Sequence, residues 1–186
     1  MPIQFESTPI EGLTVASREA FSDARGSFSR LFGSEEFLSL GDFSIVQINH
    51  STSRGRGTVR GMHFQFPPHA ETKIVTCLHG EVFDVAVDLR AQSPTLLHWH
   101  GVNLVGGSLK SFVIPPGMAH GFQVLSNEAH LLYFHSKSYQ PQAEGRVHPL
   151  DPAVKIAWPL EVINLSPRDA GAPFLSSDFA GIAANS

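Results

Sequence analysis

Two stretches decide the reading of this chain: Arg60-Gly-Met-His63-Phe-Gln65 and, further along, Pro115-Pro-Gly117-Met-Ala-His120-Gly-Phe122. Each sets one histidine among glycines and prolines, the setting of a strand bounded by tight turns. Turn signals recur around them at Gly55-Arg-Gly57, Pro67-Pro68, His79-Gly80, Ser93-Pro94 and Gly106-Gly107. The runs between these turns alternate with period two, as strands do. The clearest covers 81–89: Phe83, Val85, Val87 and Leu89 share one face, and Val82, Asp84, Ala86 and Asp88 the other. Similar runs cover 43–51, 59–65, 73–78, 97–104, 111–114 and 129–139. Helices are few. Residues 34–39 suit a short one, with acidic side chains in its first turn. Ser166-Pro-Arg-Asp169 reads as a helix start, with Ser as N-cap and Pro at the first helical position.

Composition agrees with a turn-rich all-β protein. Of 186 residues, 42% are hydrophobic and 16% charged, with 16 Gly and 13 Pro. The length fits one domain over 1–186, with its core at about 12–169 and a tail that frays from Ala180 onward. A formal net charge of -4 disfavours nucleic-acid and anionic-lipid partners. The lone Cys77 rules out an internal disulfide and suits the cytosol. Met1-Pro-Ile-Gln-Phe-Glu shows no basic stretch leading into an apolar run, and no segment reaches the length of a membrane span. These features predict a soluble, cytoplasmic protein.

The P-x-G-x-x-H spacing resembles the second motif of cupins, whose first motif often reads H-x-H with a glutamate and holds a metal. Gln65 replaces the second histidine here, so the metal set is depleted. More landmarks follow in order: Asp23-Ala-Arg25-Gly-Ser-Phe28, Gln47-Ile-Asn49, Lys73, Gly80-Glu-Val-Phe-Asp84, Ser93-Pro-Thr95, Tyr133, Tyr139-Gln-Pro-Gln-Ala-Glu144, Trp158-Pro and Leu165-Ser-Pro-Arg-Asp169. Together, over about 12–169, they resemble the dTDP-4-dehydrorhamnose 3,5-epimerases. The resemblance implies a cupin-type jelly-roll barrel with a few short helices. It also implies epimerisation of a nucleotide-linked 4-keto-6-deoxyhexose, with a nucleotide-diphosphate sugar as partner and neither cofactor nor metal. A homodimer is implied as well, in which the segment 13–32 pairs with the neighbour's sheet and Arg25 reaches the neighbour's pocket.

Epimerisation beside a ketone needs a base, a group to hold the enolate oxygen, and an acid on the opposite face. The resemblance assigns His63 as base, Asp169 as its dyad carboxylate, Lys73 as the oxyanion holder and Tyr133 as acid. Each has a plainer reading. His63 is equally a buried histidine bonded to backbone, Asp169 a helix-capping residue, Lys73 an edge-strand lysine and Tyr133 a core aromatic. A tyrosine acid further calls for a nearby cation that lowers its pKa. Asp84 is expected to pair with Lys73, and His120 to donate a hydrogen bond to sugar or phosphate. Arg25, Arg60 and Arg168 match diphosphate positions, with Arg54 and Arg56 as additional cations; Gln47, Asn49 and Glu144 match nucleotide positions. Strict alternation puts Arg60 on the face opposite His63, which confines it to the rim.

Two positions depart from the family pattern. Arg30 stands where several members carry an acidic residue at the nucleotide end, and Ile48 where an aspartate is common. Other readings stay open: a single-site epimerase on another nucleotide sugar, a metal-dependent cupin using His63, Glu71 and His120, or a non-catalytic sugar-binding cupin. His98-Trp-His100 mimics a metal pair, lacks a third ligand at fitting spacing, and reads as surface. His135 shares a strand face with Tyr133.

Overall fold

The computed structural model describes residues 3–41 and 44–183. Its strands are β1 (Gln4–Ser7), β2 (Thr14–Ser17), β3 (Phe21–Asp23), β4 (Gly26–Phe28), β5 (Gln47–Arg54), β6 (Val59–Gln65), β7 (Lys73–His79), β8 (Glu81–Asp88), β9 (Trp99–Val105), β10 (Lys110–Ile114), β11 (Met118–Val124), β12 (Glu128–His135) and β13 (Glu144–Arg146). Two short helices, α1 (Ser34–Phe37) and α2 (Pro167–Ala170), complete the list with two 3-10 turns. One sheet runs β1-β2-β10-β7-β12-β5 and faces a second, β13-β6-β11-β8-β9; β3 and β4 form a separate hairpin. This is the jelly-roll architecture of cupins.

The alternation along β8 explains how the layers pack. Val82 and Ala86 join Val75, Phe112, Ile114 and Leu131 in the core between the sheets. Val85, Val87 and Leu89 point outward, yet are buried under Trp158, Leu175 and Phe179 of the C-terminal segment. Apolar groups also cover the outer face of the first sheet, where Phe37, Ile74 and Phe134 cluster. With both faces of a strand covered, alternation marks which layer a residue joins rather than inside from outside.

Several expectations need correcting. The segment after Pro115-Pro-Gly117 is a full strand, β11, every residue of it buried. The run 129–139 ends at His135, and the run expected from Phe43 starts at Gln47, with Phe43 outside the described residues. Helix α1 stops at Phe37 and continues as a 3-10 turn over Leu38–Leu40. The chain beyond Ala180 does not simply fray, because Ile182 exchanges backbone hydrogen bonds with Leu89 and Ala91. Within the segment 13–32, β2 pairs with β1 and β10 of its own chain; only the β3–β4 hairpin stands free of both sheets.

The position of Arg60 is settled by a β-bulge. His120 lies opposite His63 and Phe122 opposite Arg60, so three steps on β6 match two on β11. The extra residue resets the alternation and brings Arg60 and His63 to the same cavity. Gly61 makes this possible: its φ is +125°, and a Cβ there would lie 2.5 Å from the Gly121 Cα. Gly61→Ala is therefore expected to cost on the order of 2–4 kcal/mol and to disturb the site. Denaturant midpoints of the two proteins test this; an unchanged midpoint would mean the bulge does not depend on glycine.

Candidate active site

A cavity of about 510 Å³ opens between the sheets and is lined by side chains from both. The second sheet supplies Arg60 and His63 from β6 and His120 and Phe122 from β11; the first supplies Lys73 from β7, Tyr133 and His135 from β12, and Asn49 and Ser51 from β5.

His63 is 38% exposed at its side chain, while Asp169 beneath it is 6% exposed, and His63 Nε2 lies 2.7 Å from Asp169 Oδ1. Helix α2 arranges this pairing. The Ser166 hydroxyl accepts the Asp169 backbone N–H at 3.0 Å, so capping falls to Ser166 and the Asp169 carboxylate is free to turn toward β6. The Gly61 N–H donates to its other oxygen at 3.4 Å. Burial pushes the Asp169 carboxyl up, but the bond and charge of His63 and the Gly61 N–H outweigh it and hold the group below its usual range. An Nε2–H given to this carboxylate leaves Nδ1 as the ring atom for proton transfer.

Tyr133 stands on the facing sheet, its hydroxyl 3.0 Å from Ser51 Oγ. The expected lowering of its pKa is not found. Burial pushes the phenol well above its ordinary value, and Arg60 opposes this only weakly. Tyr133 therefore keeps its proton and can serve as a proton donor. The Lys73 ammonium, 12% exposed, sits 3.3 Å from Glu71 Oε1 and donates to the His63 carbonyl at 3.4 Å. The expected Lys73–Asp84 pair is replaced as well. Asp84 lies on β8 beside β11 and bonds His120 Nε2 at 2.8 Å, a neighbour in its own sheet, whereas Lys73 belongs to the other sheet. Asp84 is fully buried, its Oδ2 has no hydrogen-bond partner among the described residues, and burial raises its pKa.

A second cavity of about 540 Å³ adjoins the first, sharing Arg60 and His63, and adds Arg54, Arg168 and Asn164. Arg54 is paired with Glu128 at 2.7 Å and Arg168 with Glu144 at 2.5 Å. Glu144 also accepts from Arg146 at 2.9 Å and from the Tyr139 hydroxyl, so it braces the rim and does not line either cavity. Gln47 likewise braces the entrance, accepting the Tyr139 N–H at 3.0 Å and donating to Asn49 at 3.2 Å.

Two expected cations line neither cavity of their own chain. Arg25 is 90% exposed on the β3–β4 hairpin and paired with Asp23 at 2.6 Å. Arg30 is tied to Glu36 of α1 at 2.6 Å, which draws it away from both cavities, while Ile48 does line the first. Gln65 fastens loops: its amide donates to the His69 carbonyl at 3.1 Å and its oxygen accepts the Gln140 N–H at 2.7 Å. Glu71 turns to Lys73 and His135 rather than toward His63 and His120, and among the described residues no three His, Cys, Asp or Glu groups gather in a way that could hold a metal. The bond from Glu71 to His135 escaped the sequence reading, although His135 shares the face of Tyr133 and Glu71 lies two residues before Lys73.

The fold and the cavity define a cupin whose facing sheets bring imidazole, ammonium and phenol to one space. The family described as dTDP-4-dehydrorhamnose 3,5-epimerase matches residues 7–177, and the chain belongs to that family. It is 41% identical over 171 residues to a dTDP-4-dehydrorhamnose 3,5-epimerase of Salmonella typhimurium, covering 90% of this chain and 93% of that one. It is 42% identical over 169 residues to a dTDP-4-dehydrorhamnose 3-epimerase of Streptomyces niveus, covering 90% and 81%. Among solved structures, a dTDP-6-deoxy-D-glucose-3,5-epimerase of Legionella pneumophila in complex with dTDP-4-keto-L-rhamnose superimposes with a TM-score of 0.89. That structure is 38% identical, with 97% of this chain and 98% of that one covered.

Proposed function

We propose that the protein epimerises a dTDP-linked 4-keto-6-deoxyhexose next to its ketone. His63 Nδ1 removes the proton from the carbon beside the carbonyl, and the electron pair of the broken C–H bond moves into the enolate. The Lys73 ammonium holds the developing oxyanion. Tyr133 then gives its proton to the opposite face of the same carbon, and the tyrosinate and imidazolium reset by exchange with water. The ketone is the electron sink, so this sequence needs no cofactor. Arg60 and Arg168, at the second cavity, suit the diphosphate. One observation carries the reading: His63 and Tyr133 reach a single cavity from opposite sheets.

The relatives include both a 3,5-epimerase and a 3-epimerase. Incubating the protein with the dTDP-linked 4-keto sugar in deuterated water tests the activity and counts the carbons. Deuterium with inverted configuration at C3 and C5 means double epimerisation, at one of them alone single; label at neither carbon would overturn the proposal. The same reading makes the protein a cytoplasmic homodimer. The β3–β4 hairpin supports it, since the paired Phe21 and Phe28 are 66% and 68% exposed there.

Asp169→Asn is expected to lower turnover on the order of a hundredfold or more while the fold persists, because an amide stabilises the imidazolium poorly. Its effect on stability has a defined sign. Asp169 has a depressed folded-state pKa, so its stabilisation is present above the ordinary carboxylate range and lost as pH falls through the depressed value. The difference in stability between native and variant should shrink toward acid pH. Lost thermal stability with full activity would reduce Asp169 to a structural residue.

A further inference from the structure

Five side chains beside the cavity form one connected polar chain that converges on Glu71: hydrogen bonds run from Gln47 through Asn49 and His135 to one carboxylate oxygen, and Lys73 pairs with the other. Gln47 Nε2 donates to Asn49 Oδ1 at 3.2 Å, which turns the Asn49 amide nitrogen toward His135 Nε2, also at 3.2 Å. His135 Nε2 is then an acceptor, so the ring carries its proton on Nδ1 and donates it to Glu71 Oε2 at 2.9 Å. Glu71 Oε1 faces the Lys73 ammonium at 3.3 Å. Each donor finds an acceptor without conflict, and the inner members are well shielded: the side chains of Glu71, His135 and Lys73 are 7%, 11% and 12% exposed. Burial alone would raise the Glu71 carboxyl, but the His135 bond and the Lys73 charge outweigh it and hold it below its usual range.

Lysine is a flexible point charge with three rotatable donors, so its position must be imposed from outside. The His63 carbonyl supplies one restraint at 3.4 Å. A carboxylate held at both oxygens supplies a stronger and more directional one. We infer that Glu71 and His135 are positioning residues for the Lys73 ammonium, and that their chain fastens it to Asn49 and Gln47 at the entrance. This rests on the reading of Lys73 as holder of the enolate oxygen. The ammonium meets that oxygen most strongly in the transition state, so misplacing it lowers kcat more than it raises KM.

The experiment compares Glu71→Gln, His135→Asn, His135→Gln and Lys73→Met, with thermal melts as a check on folding. Glu71→Gln is expected to lower kcat about tenfold with KM little changed, and to add little in the Lys73→Met background. The two His135 variants separate positioning from packing. An asparagine amide nitrogen takes the place of Nδ1 and keeps the bond to Glu71; a glutamine amide takes the place of Nε2 and keeps only the contact with Asn49. His135→Asn should thus retain more kcat than His135→Gln. Fully additive losses for Glu71→Gln and Lys73→Met, or equal kcat in the two His135 variants, would overturn the inference. A Lys73→Met protein with undiminished turnover would instead overturn the role of Lys73 itself.

Discussion

His63→Ala should slow exchange of the proton beside the substrate ketone by on the order of a hundredfold or more, with dTDP affinity nearly unchanged. The size of the effect follows from the lack of a substitute. Asp169 lies behind His63 and does not line the first cavity, with its carboxylate turned to Nε2 and the Gly61 N–H. His120 is paired with Asp84 in the same way, but its side chain is 7% exposed against 38% for His63, and Tyr133 is protonated because burial raises its pKa. Lys73 is held at Glu71. His63 is thus the imidazole on that wall with the most open access to the cavity. Exchange measured in deuterated water by NMR, together with calorimetric dTDP binding, separates loss of the base from loss of the fold. Near-normal exchange in the variant would remove His63 from the mechanism.

Tyr133→Phe should have an equally large but different effect. Proton removal depends on His63 and Lys73, which the variant retains, so solvent exchange at the carbon should continue. Inversion needs a proton from the other face, and phenylalanine has none to give. The enolate is then reprotonated by the imidazolium that formed it, which restores the original configuration with deuterium in place. Exchange persisting while inversion falls by about a hundredfold or more is the expected signature. Parallel loss of exchange and inversion would mean that Tyr133 acts before the enolate forms. Burial keeps the phenol protonated but makes it a weaker acid than a free tyrosine, so proton delivery relies on the greater basicity of the enolate carbon.

Much of this arrangement is legible in the residues, and the parts that are not have physical causes. The alternation along β8 correctly divides Val82 and Ala86 from Val85 and Val87, because each face joins a different apolar layer. Strand β11 is harder to see: buried on both faces, its Met118–Val124 sequence has no polar side to alternate with. The bulge at Gly61 is invisible to period-two reasoning, which therefore put Arg60 on the wrong side of β6. Asp169 was read either as a helix cap or as the partner of His63. The structure separates the two tasks, since Ser166 takes the backbone N–H and leaves the carboxylate free. Partner choice between strands was the least legible feature. Asp84 and Lys73 have complementary charges, but their positions in different sheets send each to a nearer partner, His120 and Glu71.

The central claim is that base and acid work on opposite faces of one sugar ring between the two sheets. A crystal structure of the protein with a dTDP-sugar that cannot react tests it most directly. The account predicts the ring between β6 and β12, with a carbon beside C4 facing His63 Nδ1, the Tyr133 hydroxyl on the other face, and the Lys73 ammonium within hydrogen-bond reach of the C4 oxygen. A sugar held with His63 and Tyr133 on the same face, or seated outside this cavity, would contradict it.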